Sequence, residues 1–296
     1  RTALGIKANG EILLYTVDGR QTGYSNGYSV KQLAGRLLDL GCVSAINLDG
    51  GGSTAIKSVY PGESESTLIN KPSDGSLRKC ANYIFLVNTA PPVGNLSNLH
   101  IYPYDLMILP GATQRFKIKA TDENYYPVTP PENVNFSVTG TLNPSSSNTT
   151  IGEFDEYGTF TALSGGEGYI TAEYSGATGK TRLTVLDDIT NLEVYNESNP
   201  GTSLSSISIS PGKTINLTAD GYKGLIKAVA QDNCFKWEII EGNIGTIDQN
   251  GTFTASNISG ASGTISVSFG SVDVKISVKV GNSPMIIEDF EDNNLV

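Results

Sequence analysis

One five-residue phrase occurs twice in this chain and fixes most of what it can fold into. Gly158-Thr159-Phe160-Thr161-Ala162 returns as Gly251-Thr252-Phe253-Thr254-Ala255. Upstream of each copy stands an Ile-Gly pair, Ile151-Gly152 and Ile244-Gly245, and before that a Pro-Gly pair, Pro110-Gly111 and Pro211-Gly212. Each copy closes on an alternating apolar run, 181–186 in the first and 274–280 in the second. Short alternating runs broken by turn residues every eight to twelve positions or so are the pattern of a β-sandwich. Two copies of one module are therefore expected in tandem, at 95–187 and 188–281, after a Pro-containing linker at 89–94.

The repeat resembles bacterial immunoglobulin-like domains of surface proteins, in which a Pro-Gly strand is followed by a Gly-x-Phe-Thr-Ala turn and a closing strand. That resemblance implies fold and a spacing or presenting role, because such sandwiches carry many functions. Trp237 is expected to be a core aromatic rather than a sugar platform, with Val138 as its apolar counterpart in the first copy.

Residues 1–88 read differently. Apolar runs at 2–8 and 11–17 flank Asn9-Gly10, a two-residue hairpin signal. Residues 29–40 form the one convincing helix. Ser29 and Gln32 have capping-box spacing, Val30, Leu33, Ala34, Leu37 and Leu38 make an apolar face, and Gly41 ends it. A strand at 42–48 then delivers Asp49 to Gly50-Gly51-Gly52-Ser53-Thr54, and a polar stretch with Asn70 and Pro72-Ser73-Asp74-Gly75 leads to Arg78 and a strand at 80–87.

Three successive glycines are costly to order, so they mark a backbone that takes positive φ or lies against another surface. A strand end with consecutive N–H groups, a hydroxyl and a carboxylate suits a phosphate or a sugar. It also suits a tight turn in which Asp49 accepts bonds from its own loop.

The flanks add a family. The sequences RTALG (1–5), VDGR (17–20), INLDGGGST (46–54), PSDG (72–75) and Arg78 resemble the C-terminal half of the phosphodiester glycosidase family. The fold implied for the chain is mainly β, a partial α+β catalytic module followed by two immunoglobulin-like sandwiches. The matching positions are Arg1, Asp18, Arg20, Asn47, Asp49, Gly50, Gly51, Gly52, Ser53, Asp74 and Arg78. The activity implied is hydrolysis of a sugar-1-phosphodiester, the sugar being N-acetylglucosamine-like. Asp49 is the expected essential carboxylate and Asp74 the second candidate. Arg1, Asn47, Gly50, Gly51, Gly52, Ser53 and Arg78 are expected to face the substrate and its phosphate. Turn chemistry before Gly19 and Gly75 equally explains Asp18 and Asp74, and a solvated strand end explains Arg1. The resemblance also implies an N-terminal half beyond this sequence, so the chain is read as a piece of a longer protein whose first module exposes apolar sheet edge. Residues 282–296 are expected to open a further module, with carbohydrate binding as one possible role.

Composition excludes several classes. A net charge of −10 with no basic stripe argues against a nucleic-acid partner. No apolar stretch is long enough to insert in a bilayer. A single histidine, His100, excludes a Ser-His-Asp triad or multi-His zinc site within the chain. No cofactor is assigned, although Ca²⁺ on Asp49, Asp74 and carbonyls stays open. Cys42, Cys80 and Cys234 are read as buried free thiols, with a Cys42–Cys80 pair the alternative. The acidic, Cys-poor tandem suits an exported bacterial protein, secreted or at the cell surface. The competing function is a non-enzymatic adhesin or glycan-binding protein.

Overall fold

The first strand, β1 (Thr2–Lys7), turns back into β2 (Ile12–Thr16) with Ile6 opposite Ile12. The computed structural model describes residues 1–21, 24–143, 150–200 and 202–281; the expected further module at 282–296 lies outside the described residues. The chain divides into two units. One comprises Arg1–His100, Ile118–Glu132 and Ser175–Ala177, and the other takes the remainder.

In the first unit the hairpin differs from its expected form. Gly10 N–H donates to Lys7 O at 3.0 Å and Lys7 N–H to Glu11 O at 2.9 Å, which closes a three-residue loop. Only Gly10 is left-handed, at φ 86°, and the Asn9 side chain instead accepts from Glu11 N–H at 3.1 Å. A two-residue I′ turn would need both residues at positive φ; a type I turn followed by a left-handed glycine needs one.

The helix α1 (Val30–Asp39) starts on the predicted capping box. Gln32 N–H donates to Ser29 Oγ at 3.2 Å and Ser29 N–H to Gln32 Oε1 at 2.8 Å. It ends at Gly41, φ 86°, whose N–H donates to Leu38 O at 2.9 Å. The chain then enters β3 (Cys42–Asn47), giving a sheet of order β2-β1-β3 with both pairs antiparallel. Leu33 and Leu37 bury against Ala3 and Cys42, with Leu13, Tyr15 and Val17 around them. The rest of the expected helix face is exposed: Val30, Ala34 and Leu38, the last at 68%. The helix meets the sheet along a narrow seam, so the flanks of its apolar stripe face solvent.

A short hairpin follows, β4 (Lys57–Val59) with β5 (Ser66–Leu68). The strand expected at 80–87 does not form. Tyr83, Ile84, Phe85, Leu86 and Val87 are exposed, Phe85 at 77%, and no described strand pairs with them. Alternation and β-propensity make a strand only where a partner takes its N–H and C=O groups. With Val43 and Ile46 also exposed on β3, the first module shows the apolar sheet edge expected of it.

All three cysteines are free. Only Cys42 is buried, so full burial fails for Cys80 and Cys234, which are half-covered, and the alternative Cys42–Cys80 pair is not made. Behind the linker, fully buried Asp122 accepts four backbone N–H groups: Val93 at 2.6 Å and Gly94 at 3.0 Å on Oδ2, Asn124 at 3.0 Å and Tyr126 at 2.9 Å on Oδ1. These bonds, Gly94's foremost, hold its carboxyl below the ordinary value.

In the second unit the repeat recurs with most of its bonds, the acceptor of the Pro-Gly N–H shifting by one residue, from Ala162 to Ser256, the residue after its counterpart Ala255. Gly111 N–H donates to Ala162 O, and Gly212 N–H to Ser256 O; Ala162 N–H donates to Ala112 O, and Ala255 N–H to Lys213 O. Asp155 Oδ1 accepts from Tyr157 and Thr159, as Asp248 Oδ1 does from Asn250 and Thr252. Phe160 and Phe253 are fully buried. The later repeat packs a sheet of Asn191–Asn196, Thr214–Lys223, Thr252–Ala255 and Gly245–Ile247 with one of Ser206–Ile209, Val272–Val280, Ser262–Phe269 and Lys236–Glu241. Trp237 is core, 2% exposed, its Nε1–H on Asp232 O at 2.8 Å.

The first-repeat counterpart of Trp237 is Phe136, not Val138. Phe136 faces Ala172 across its strand pair as Trp237 faces Val267, each two residues before the end of the partner strand. Gly158 lies against Phe136 as Gly251 lies against Trp237. The apolar spacing left a two-residue ambiguity that the register resolves.

Leu106–Ile108 pairs in parallel with 183–185 and bridges Val229 through Ile108. Leu109 N–H donates to Val229 O at 3.0 Å and Val229 N–H to Met107 O at 2.8 Å. Fully buried Leu109 belongs to the core around Trp237, although it precedes that repeat by far in sequence. The described chain is thus mainly β, with one small antiparallel sheet covered by a helix and β-sandwich packing in the later repeat.

Candidate functional site

Because β2 and β3 both run antiparallel to β1, they end at the edge where β1 begins. The loops after these two strands converge there for that reason, and the loop at 70–78 is tied to them through Asn70. Val17 N–H donates to Arg1 O and Leu48 N–H to Thr2 O, both at 2.8 Å, so the pairing carries on into the loops. A cleft of about 370 Å³ opens at this edge, lined by Arg1, Asp18, Arg20, Asp49, Gly50–Gly52 and Arg78 among others.

The glycine run makes a single 3₁₀ turn, Gly51–Ser53. Gly51 takes φ +65°, which a residue with a Cβ adopts at a cost. Among the described residues no hydrogen bond uses the N–H of Gly51 or of Gly52. Consecutive unused N–H groups in such a turn favour an anion.

Asp49 is exposed on this turn and accepts from Gly50 N–H at 2.8 Å. The Ser53 hydroxyl, then the Gly50 N–H, hold its carboxyl below the ordinary value, with the Arg78 charge acting in the same direction. It is therefore a carboxylate at neutral pH.

The cleft holds three arginines. Arg1 Nε–H donates to Tyr28 O at 3.0 Å. Arg78 gives Nε–H and an Nη2 hydrogen to Asp74 Oδ2, at 3.0 and 2.6 Å, and an Nη1 hydrogen to Ser53 Oγ at 3.3 Å. Arg20 is left-handed, at φ 59°, and its guanidinium lies over Gly51. Among the described residues that guanidinium has no hydrogen bond or ion pair. A non-glycine residue held at positive φ beside a cleft, with its cation free, is a functional signal.

The structure brings together Arg1, Asp49, Gly50, Gly51, Gly52 and Arg78. It leaves three expected residues off the cleft wall. Asn47 turns its amide to Leu48 O at 2.9 Å, Ser53 Oγ accepts from Arg78 at 3.3 Å, and Asp74 pairs with Arg78.

Asp18 is a tie rather than a simple turn residue. Its carboxylate accepts from Asn70 Nδ2 at 2.8 Å, Lys71 N–H at 2.7 Å and Tyr24 Oη at 3.1 Å. Asn70 opens the Pro-Ser-Asp-Gly stretch, and its role emerges only in three dimensions. It also donates to Thr54 O at 2.9 Å and accepts Ile56 N–H at 2.8 Å, so one amide joins three loops. Its signal was an Asn opening the Asn-x-Pro-Ser-Asp-Gly stretch. Arg20 matched by position, and only its backbone conformation singles it out.

Among the described residues no three His, Cys, Asp or Glu side chains gather as a metal site. No helix of the described residues is long and apolar enough to cross a membrane.

Residues 1–87 match the phosphodiester glycosidase family. The phosphodiester glycosidase match spans the sheet, the helix, the glycine turn and the Asp74–Arg78 loop, and so the whole cleft wall. None of the curated proteins compared matches the chain. Solved structures similar to it include domains 5–6 of the S-layer protein SbsC, at 14% identity and TM-score 0.28, covering 64% of this chain and 99% of that one. The Yersinia pseudotuberculosis adhesin InvE is similar at 18% identity and TM-score 0.24, over 64% of this chain and 61% of that one. The titin I9–I11 tandem follows at 12% and 0.26, over 62% and 66%. Identities and scores this low assign no function.

Proposed function

We propose that the first module acts in a secreted or cell-surface bacterial glycosidase that cleaves a sugar-1-phosphodiester. The sugar is N-acetylglucosamine-like and belongs to a cell-surface or exopolysaccharide glycan. The observation that carries this reading is one cleft holding an ionised Asp49, three arginines and a glycine turn with two unused N–H groups. A phosphodiester brings a fixed negative charge, which guanidinium groups and a backbone nest bind together. The free Arg20 guanidinium is the group best placed to take that charge without first breaking another bond.

In the proposed reaction the bond from C1 to the phosphate oxygen breaks, and its electron pair leaves on the phosphomonoester. Positive charge develops on C1 and the ring oxygen, where the Asp49 carboxylate stabilises or captures it. A water oxygen then bonds to C1 and gives its proton to solvent. Phosphate is already a good leaving group, so one carboxylate with a cationic clamp suffices and no general acid is assigned. The net charge of −10 further favours a small anionic group in a local arginine cluster over a polyanion such as nucleic acid.

The test is hydrolysis of a synthetic methyl diester of N-acetylglucosamine-1-phosphate in ¹⁸O-water. Label in the released sugar supports glycosidic cleavage, and label in the phosphate makes the protein a phosphodiesterase instead. Absence of turnover with retained glycan binding would favour the adhesin reading.

A further inference from the structure

Asp74 does not line the cleft, although the residue it pairs with does. Its Oδ2 accepts from Nε and Nη2 of Arg78, so the guanidinium is held along one edge. A Cβ on Gly52 would overlap the Asp74 carboxylate. The absent side chain at Gly52 is therefore the seat in which that carboxylate lies. The remaining Arg78 nitrogen, Nη1, donates to Ser53 Oγ at 3.3 Å, the hydroxyl that also holds the Asp49 carboxyl low. A continuous hydrogen-bonded chain runs from Asp74 through Arg78 to Ser53.

We infer that Asp74 is a positioning residue, seated on Gly52, that fixes Arg78 as an anion ligand of the cleft. It is not a second reacting carboxylate. This rests on reading the cleft as the site of a phosphodiester, and it gives Gly52 a task distinct from that of Gly51. Both partners of the ion pair are about half exposed, with side-chain exposures of 40% for Asp74 and 51% for Arg78. An exposed pair contributes little to stability. Its effect is to fix a guanidinium that otherwise samples many rotamers, and the anion needs that guanidinium in place.

The test compares the whole chain with Asp74→Asn, Gly52→Ala, the double variant and Arg78→Lys, measuring inorganic phosphate affinity and diester turnover. A ¹⁵N spectrum of the Arg78 Nε–H reads the ion pair directly, and thermal melts check that each variant is folded. Asp74→Asn and Gly52→Ala should each lose the protected Nε–H signal, weaken phosphate binding and raise KM, by about tenfold in each case. The value of kcat should stay within about threefold, because the reacting groups are untouched. The double variant should be no worse than either single one, since both remove one arrangement. Arg78→Lys should repeat the KM effect because an ammonium cannot be gripped along an edge.

Two results overturn the inference. One is a kcat loss in Asp74→Asn as deep as that of Asp49→Asn with phosphate affinity kept, which would make Asp74 a reacting group. The other is equal phosphate affinity in all five proteins. If the parent binds phosphate but does not turn over the diester, the glycosidase reading fails while the phosphate series still decides the role of Asp74.

Discussion

The side-chain amide of Asn70 donates to the Asp18 carboxylate at 2.8 Å, and this bond ties the end of β2 to the loop that carries Asp74 and Arg78. The same amide holds Thr54 O and Ile56 N–H at the exit of the glycine turn. The cleft is thus framed by a polar tie between loops, with the apolar core lying behind it under α1. Asn70→Ala leaves those partners unsatisfied and should cost about 1–3 kcal/mol in urea unfolding of the first module. Asn70→Asp should cost more at neutral pH, where two carboxylates face each other, and recover part of that loss in acid. An unchanged urea midpoint for Asn70→Ala would show that water replaces the tie.

A second prediction concerns pH. The Ser53 hydroxyl is the first cause of the lowered Asp49 pKa, ahead of the Gly50 N–H. A depressed carboxyl adds stability that is present above the unfolded value and is lost as pH falls through the lower folded value. The acid limb of turnover should accordingly lie below the ordinary 3.8. Ser53→Ala should move that limb to higher pH, towards 3.8. A limb that stays in place would detach Ser53 from Asp49.

A third prediction joins the two repeats. Leu109 is fully buried in the core of the later repeat. Leu109→Ala should therefore destabilise that repeat by about 2–5 kcal/mol. Trp237 is the chain's one tryptophan, so its fluorescence reports the later repeat selectively. The predicted result is an earlier Trp237 transition; an unmoved one would mean that Leu109 serves only the first repeat.

Features set by neighbours in sequence were legible before the structure. The capping box at Ser29 and Gln32, the Gly41 stop and the Gly-x-Phe-Thr-Ala hairpins all depend on residues within a few positions of one another. Features set by distant partners were not. The run at 80–87 has the composition of a strand, but a strand exists only with a partner edge. The choice between Phe136 and Val138 needed the register against Ala172 and Ile170.

The site divided along the same line. Asp49 and the glycines announced themselves by local pattern. The seat of Asp74 on Gly52 and the three-way tie of Asn70 join segments 14 to 52 residues apart, a closure that no local pattern encodes. Arg20 stands between these cases. Its type was visible in Val17-Asp18-Gly19-Arg20, but its left-handed backbone and uncommitted guanidinium are three-dimensional facts.

The central claim is that Asp49 is the carboxylate acting at C1. The most direct measurement is kcat/KM of Asp49→Asn against the parent on the N-acetylglucosamine-1-phosphate diester, with phosphate affinity and the melting curve recorded for both. A fall of about a thousandfold or more is expected, because a residue acting on the reacting atom cannot be replaced by its neutral isostere. Fold and phosphate binding should persist. Turnover within about threefold of the parent would place the reacting carboxylate elsewhere.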